Sequence, residues 1–145
     1  RENELLKLLE KYRKNDGSYD CVVPGSGGKD SAMTAHLLKY KYNMNPILIT
    51  WPPALYTDIG RRNFEAWLDA GFANYTYNQN KKLHRFLTKN AFLNLGHPFQ
   101  PFILGQKNLA PRLSVLLDID HKENLHFVYA LVETFRILCY SLRTG

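Results

Sequence analysis

The chain has 145 residues, 45% of them apolar, which suits one compact core and leaves no room for two full domains. Nineteen Lys and Arg against 13 Asp and Glu give a net charge of +6, a balance that favours anionic partners such as nucleotides, sugar phosphates or nucleic acid without choosing among them. Two cysteines, Cys21 and Cys139, exclude a disulfide framework and a Cys-based zinc site and point to a reducing, cytoplasmic setting.

No apolar run reaches the ~18–20 residues of a membrane span, and Arg1-Glu2-Asn3-Glu4 does not resemble a secretory signal. The chain opens without methionine and ends Leu142-Arg143-Thr144-Gly145, so it is expected to be a piece of something longer.

Glu2 to Arg13 places Leu5, Leu6, Leu8, Leu9 and Tyr12 on a helical stripe, with Lys7, Glu10, Lys11 and Arg13 on the other face. Asn15-Asp16-Gly17 ends that helix, and residues 1–18 form an amphipathic N-terminal element. Tyr19 to Pro24 is a short apolar strand. It breaks into Gly25-Ser26-Gly27-Gly28, and apolar spacing resumes as a helix through Ala32, Met33, His36, Leu37 and Tyr40. Pro46 to Trp51 reads as a second buried strand, closed by Pro52-Pro53, which neither a helix nor a central strand accepts.

Asp58 to Ala70 carries Ile59, Phe64, Trp67 and Leu68 at helical spacing and stops at Gly71; Ala73 to Tyr77 then alternates like a third strand. Lys81 to Leu95 returns to the helical period through Leu83, Phe86, Leu87, Ala91 and Phe92. Gly96 to Phe102 is expected to be a proline-punctuated loop, and Gly105 to Leu117 one more helix, interrupted in its first turns by Pro111. The alternation of strand and helix predicts a three-layer α/β/α domain over 19–119, a parallel sheet with helices on both faces. In residues 120–145 only a weak helical pattern can be read, and the junctions at 119–120 and 134–135 suggest that this segment is discontinuous with the rest.

The segment richest in chemistry is Gly25-Ser26-Gly27-Gly28-Lys29-Asp30-Ser31, where the first strand hands over to a helix. Small residues let backbone N–H groups converge on an anion, the helix N-terminus adds partial positive charge, and Lys29 supplies a full one. A Walker-type loop fails, because Val23 stands where its first glycine is required and Asp30 follows Gly28-Lys29. A dinucleotide fingerprint is weak, because Asp30 occupies the position that needs glycine or alanine. The plain alternative is a glycine turn with a serine helix cap.

Ser26-Gly27-Gly28-Lys29-Asp30-Ser31 resembles the SGGxDS pyrophosphate loop of the N-type ATP pyrophosphatases, which split ATP between its α- and β-phosphates. A narrower resemblance runs from about Tyr19 to Ile119. Val23-Pro24, Asn45-Pro46, Trp51-Pro52-Pro53, Ile59-Gly60-Arg61-Arg62-Asn63, Gly96-His97-Pro98 and Gly105 look like the N-acetyl sugar amidotransferases of bacterial surface-polysaccharide and nonulosonic-acid synthesis. Members of that family are longer and carry a cysteine pair where this chain has Phe99-Gln100-Pro101-Phe102, so no zinc site carries over.

The resemblance implies an adenine nucleotide alpha hydrolase-like fold, ATP and Mg²⁺ as cofactors, a nucleotide-linked N-acetyl sugar as substrate and a separate glutamine amidotransferase as ammonia source. It also implies conversion of an acetamido group to an acetamidino group, with release of AMP and pyrophosphate. Ser26, Gly27, Gly28, Lys29, Asp30 and Ser31 would hold the phosphates, with Lys29 stabilising the departing charge and Asp30 positioning Mg²⁺ or the loop.

Thr50 and Trp51 fall at the carboxyl end of the second strand, where ligands settle in open α/β sheets, so adenine or ribose contacts are expected there; Trp51 is equally readable as a packing aromatic. Arg61, Arg62, Asn63 and His97 are candidate substrate contacts, and Lys107 and Arg112 weaker ones. His84, His121 and His126 lack metal-ligand spacing. A tRNA-modifying enzyme of the same ATP chemistry and a non-catalytic ATP-binding module are the rival readings. The first would need a reactive cysteine and a clustered basic surface, whereas the lysines are spread along helix faces.

Overall fold

The computed structural model describes residues 2–119; the helical pattern expected beyond them and the two suspected junctions lie outside the described residues. Three parallel strands, β1 (Cys21–Pro24), β2 (Pro46–Thr50) and β3 (Asn74–Thr76), form a sheet in the order β1-β2-β3. The register pairs Val22 with Ile47 and Val23 with Leu48 on one side of β2, and Leu48 with Asn74 on the other. Five helices surround the sheet: α1 (Glu2–Tyr12), α2 (Lys29–His36), α3 (Asp58–Asp69), α4 (Lys81–Leu95) and α5 (Gln100–Leu116).

Successive strand residues point to opposite faces, and the two faces have separate cores. Cys21, Val23 and Leu48 pack with Leu9 of α1, Ala35 of α2, Leu38 and Trp67 of α3. Val22, Ile47 and Ile49 pack with Leu109, Ala110 and Leu113 of α5. Near-continuous burial of β2, with all five residues inside, is what helices on both faces impose on a central parallel strand. The predicted three-layer architecture is therefore the observed one. α4 contacts α5.

The differences from expectation have local causes. The helix after the glycine loop widens over Leu37–Lys41, where Tyr42 N–H reaches back five residues to Leu37 O and Met44 N–H six to Leu38 O. That looser exit carries the chain to Asn45 and into β2. α5 begins at Gln100, not Gly105, because Pro101 sits in the first turn, where its fixed φ suits a helix and its missing N–H costs nothing. The expected loop over Gly96 to Phe102 is thus only Gly96 to Phe99. Pro111 falls deep inside the longer helix, which continues through it. On α1 only Leu9 is fully buried and Leu5 packs beside it, while Leu6 and Leu8 stay at the surface. The apolar residues that give α4 its helical period are mostly exposed, and Ala91 is its one buried residue.

The amino end of the sheet is held by Asp20. Its carboxylate is buried and accepts from Lys14 N–H at 2.7 Å and Asn45 N–H at 2.7 Å, while its own N–H donates to Asn45 O at 2.9 Å. Asn45 Nδ2 then donates to Gly17 O and Ser18 O. The chain segments entering β1 and β2 are thereby locked in register. Asp20→Ala would leave the partly buried amides of Lys14 and Asn45 without their carboxylate acceptor. It should lower unfolding stability by about 2–4 kcal/mol, read as a lower urea midpoint; an unchanged midpoint would show that the brace contributes nothing.

Candidate functional site

The carboxyl ends of β1 and β2 carry the site. Gly25 N–H donates to Ile49 O at 3.0 Å, so the first residue of the glycine loop still belongs to the sheet. A Cβ on Gly25 would lie 2.6 Å from Ser31 Cβ and 2.6 Å from Trp67 Cη2. The chain then turns at Gly27, whose φ of +85° disfavours any side chain and whose missing Cβ would meet the backbone of Phe64 at 3.0 Å. Main chain of the loop thus rests directly on main chain of α3.

α2 starts on Gly28, and no side chain accepts a hydrogen bond from its first-turn amides. Thr57 caps α3 by accepting from Gly60 N–H at 3.0 Å, and Asn80 caps α4 by accepting from Lys82 and Leu83 N–H. The serine-cap alternative for the glycine turn is therefore not what the loop does: Ser31 Oγ donates to Gly28 O at 3.0 Å instead. Gly28, Lys29 and Asp30 are exposed and Ser26, Gly27 and Ser31 half-buried. Lys29 Nζ lies 3.5 Å from Asp30 Oδ1, with both side chains largely in solvent, so the pair is weak enough for Lys29 to swing to another anion. The start of α2 is thus an exposed helix N-terminus without a side-chain cap, with the exposed Lys29 beside it.

Arg61, Arg62 and Asn63 are exposed on the second turn of α3, and the loop at Gly27 lies 3.3 Å from the Asn63 carbonyl carbon by the same Cβ measure. Of these three the structure brings the Asn63 main chain against the loop, while Arg61 and Arg62 share its exposed stretch of α3 without a described contact to the loop. Tyr56, whose hydroxyl burial pushes above its ordinary pKa against the opposing pull of Arg61, stands at the base of that helix.

Thr50 is fully buried. Its Oγ1 accepts from Asn74 Nδ2 at 3.0 Å and its carbonyl accepts from Tyr77 N–H at 3.1 Å, so its side chain ties β2 to β3 and is not presented to a nucleotide. Trp51 is the wall of the site. Its ring stacks on Tyr77 at 5.2 Å and 13°, and Gly105 approaches so closely that a Cβ there would sit 2.3 Å from Trp51 Cε2. His97 lies in the α4–α5 turn with its ring edge-on to Phe99, and no described contact joins it to the loop.

Two cavities meet at Trp51. The smaller, about 230 Å³, is bounded by Pro24 and Gly25, Ile49 and Trp51, and Gln106 and Lys107 of α5. The larger, about 570 Å³, opens between β3, α4 and α5 past Tyr77, Gln79, His84 and Arg112. Trp51 Nε1, Gln79 Oε1 and His84 Nε2, all on residues of the larger cleft, are buried without a hydrogen-bond partner. Such buried, unpaired atoms are costly in free energy. Gln106 escaped the sequence reading. The signal available was Gly105, a glycine inside a helix, which marks a close backbone approach.

Among the described residues no three His, Cys, Asp or Glu side chains gather to hold a metal. Asp30 at the open loop fits the way Mg²⁺ is usually held, by one or two carboxylates with the rest from phosphate and water. Cys21 is buried in β1, where burial and, to a smaller extent, the Asp20 carboxylate push its thiol up to about 12.

No family model matches the chain. A stretch of 46 residues, 32% of this chain, is 39% identical to an uncharacterised protein of Methanocaldococcus jannaschii, and the match spans 17% of that protein's length.

Packing at the glycines sets their tolerance. Gly25→Ala and Gly105→Ala should each cost about 1–3 kcal/mol of stability, whereas Gly28→Ala, with φ −71° and nothing within 4 Å of the added carbon, should cost less than about 1 kcal/mol. Thermal unfolding of the three variants checks the order, and an equal loss at Gly28 would contradict it. Cys21 should react with iodoacetamide roughly a thousandfold more slowly than a free thiol near pH 8, as followed by peptide mass mapping; rapid native-state alkylation would refute its burial.

Proposed function

We propose that the chain forms the ATP-cleaving domain of an amidotransferase that adenylates the acetamido group of an N-acetylated, nucleotide-linked sugar and replaces its oxygen with ammonia. The observation that carries this reading is the exposed start of α2, which has no side-chain cap and carries Lys29 and Ser31 at the carboxyl edge of a parallel sheet. That edge is where open α/β sheets bind their ligands.

In this scheme the β- and γ-phosphates rest on the amides of Gly27 to Ser31. The acetamido oxygen of the sugar attacks the α-phosphorus, the bond to the bridging oxygen breaks, and pyrophosphate leaves. Ammonia then adds to the activated carbon, AMP departs with the former amide oxygen, and loss of one proton from nitrogen leaves the amidinium. Mg²⁺, when bound, would share the charge of the leaving pyrophosphate. Asp30 would position it, and Lys29 would meet the negative charge as it grows. The small cavity beside Gly25 and Trp51 supports placement of the nucleoside, and the larger cleft, with its aromatic wall and unpaired polar atoms, supports placement of the sugar. Arg61, Arg62 and Asn63, exposed on the helix that supports the loop, suit a phosphate of either ligand.

Among the described residues the one cysteine, Cys21, has a buried, high-pKa thiol, which does not favour sulfur transfer to tRNA. A glutaminase partner in the cytoplasm would supply ammonia.

With ATP, Mg²⁺, ammonium and a panel of nucleotide-linked N-acetyl sugars, AMP and pyrophosphate should appear in equal amounts and only when an acetamido sugar is present. Lys29→Ala should cut that turnover about 10²–10³-fold while changing ATP affinity far less. Release of ADP and phosphate, or pyrophosphate release that Lys29→Ala leaves unchanged, would contradict the assignment; ATP binding without cleavage under any condition would leave a nucleotide-binding module instead.

A further inference from the structure

Residues 70–117 contain Lys81, Lys82, Arg85, Lys89, Lys107 and Arg112 and no Asp or Glu, so the rest of the chain, with 13 cations and 13 acids, is neutral and the entire net charge of +6 resides in this stretch. On α4 the concentration is sharper. At 100° per residue Lys81, Lys82, Arg85 and Lys89 fall within an arc of about 100°. All four are exposed, and among the described residues none pairs with a carboxylate. The lysines that look scattered in the sequence share one helix face.

The same helix ends in an apolar tip. Phe92, Leu93, Leu95 and Phe99 surround the left-handed turn at Gly96 and are 59%, 66%, 66% and 67% exposed. Four large apolar side chains so open, within eight residues, are not the scattered surface apolars of an ordinary domain. The tip also has a definite position. α5 runs antiparallel to the strands, since its Gly105 lies on Trp51 at the carboxyl edge while Asp118 O, just beyond its end, accepts from Lys14 Nζ at 2.6 Å near the amino edge. The turn that precedes α5 therefore stands beyond the carboxyl edge, the edge that carries the glycine loop.

We infer that this corner seats the protein on an anionic lipid bilayer. Phe92, Leu93, Leu95 and Phe99 enter the acyl boundary, and Lys89, Arg85 and the lysines a turn further back lie against the headgroups. Charge complementarity selects the occupant. A second copy of this face would bring like charges together, a nucleic acid would satisfy the cations and leave Leu93 and Leu95 in water, and an anionic membrane satisfies both sets at once. No helix among the described residues is long and apolar enough to cross a membrane, so the contact is with the surface. The consequence is orientation: the glycine-loop end of the sheet faces the bilayer. The inference rests on charge and exposure in α4 and its turn and is independent of the proposed ATP chemistry.

The test is co-sedimentation of the full chain with phosphatidylcholine vesicles, with and without roughly one third phosphatidylglycerol, at low and high salt. Binding should require the anionic lipid and fall with salt. It should drop at least about tenfold both in Arg85→Glu/Lys89→Glu and in Leu93→Ser/Leu95→Ser, with far-UV circular dichroism confirming that these surface variants fold. Equal binding to neutral vesicles, no binding to either, or binding that survives both variants would overturn the inference. So would retention by an RNA or an acidic polypeptide with no vesicle binding, which would give the face to that class of partner.

Discussion

The turn after β1 can close only because Gly25 and Gly27 have no side chains. At Gly25 the backbone passes within contact distance of Ser31 and the ring edge of Trp67, and at Gly27 it lies on the backbone of Phe64 with a positive φ. Both approaches press the loop against the body of the domain from below. Its inner side is filled by protein, while Gly28, Lys29 and Asp30 at the start of α2 remain exposed. A side chain at either glycine would lift the loop off α3 and displace that helix start.

The rest of the architecture works to make that contact possible. Trp67 reaches Gly25 because α3 is packed on the face built by Val23 and Leu48, and α3 is placed there by the crossover between β2 and β3. At the opposite end of the sheet the Asp20 carboxylate fixes the entrances to β1 and β2, so rigid polar bracing and open polar chemistry lie at opposite ends of the same strands. On the other face α5 brings Gly105 onto Trp51, which makes one indole the shared wall of two cavities. Preorganisation of this kind is what a site needs if its donors are to stabilise charge without rearranging as the charge forms.

Much of this was legible in the residues. The three strands, the glycine loop and the starts of α2, α3 and α4 follow from apolar runs, proline and glycine punctuation and period, all local signals. What escaped is tertiary in origin. Pro101 looks like loop punctuation until its place in the first turn of a helix is known, and nothing in Leu37 to Lys41 announces that the helix will widen there. Thr50 stands at the right edge to meet a ligand, yet its hydroxyl is claimed by Asn74 across the sheet, a partner 24 residues away in sequence. Leu83 and Phe86 keep the period of a buried stripe while remaining at the surface, because pattern reports that a face is apolar and not what covers it. The clustering of four cations on α4 was available from helical spacing, and the structure adds that all four are exposed.

The central claim is that the amides between Gly27 and Ser31 form a receptor for a polyphosphate. Titration of isotopically labelled protein with Mg²⁺-pyrophosphate, followed by amide resonances, examines it residue by residue. The account predicts saturable shifts that are largest at Gly27, Gly28, Lys29, Asp30 and Ser31, with smaller ones at Arg61 to Asn63. Shifts that are absent from the loop, or that centre on the lysines of α4 instead, would contradict it.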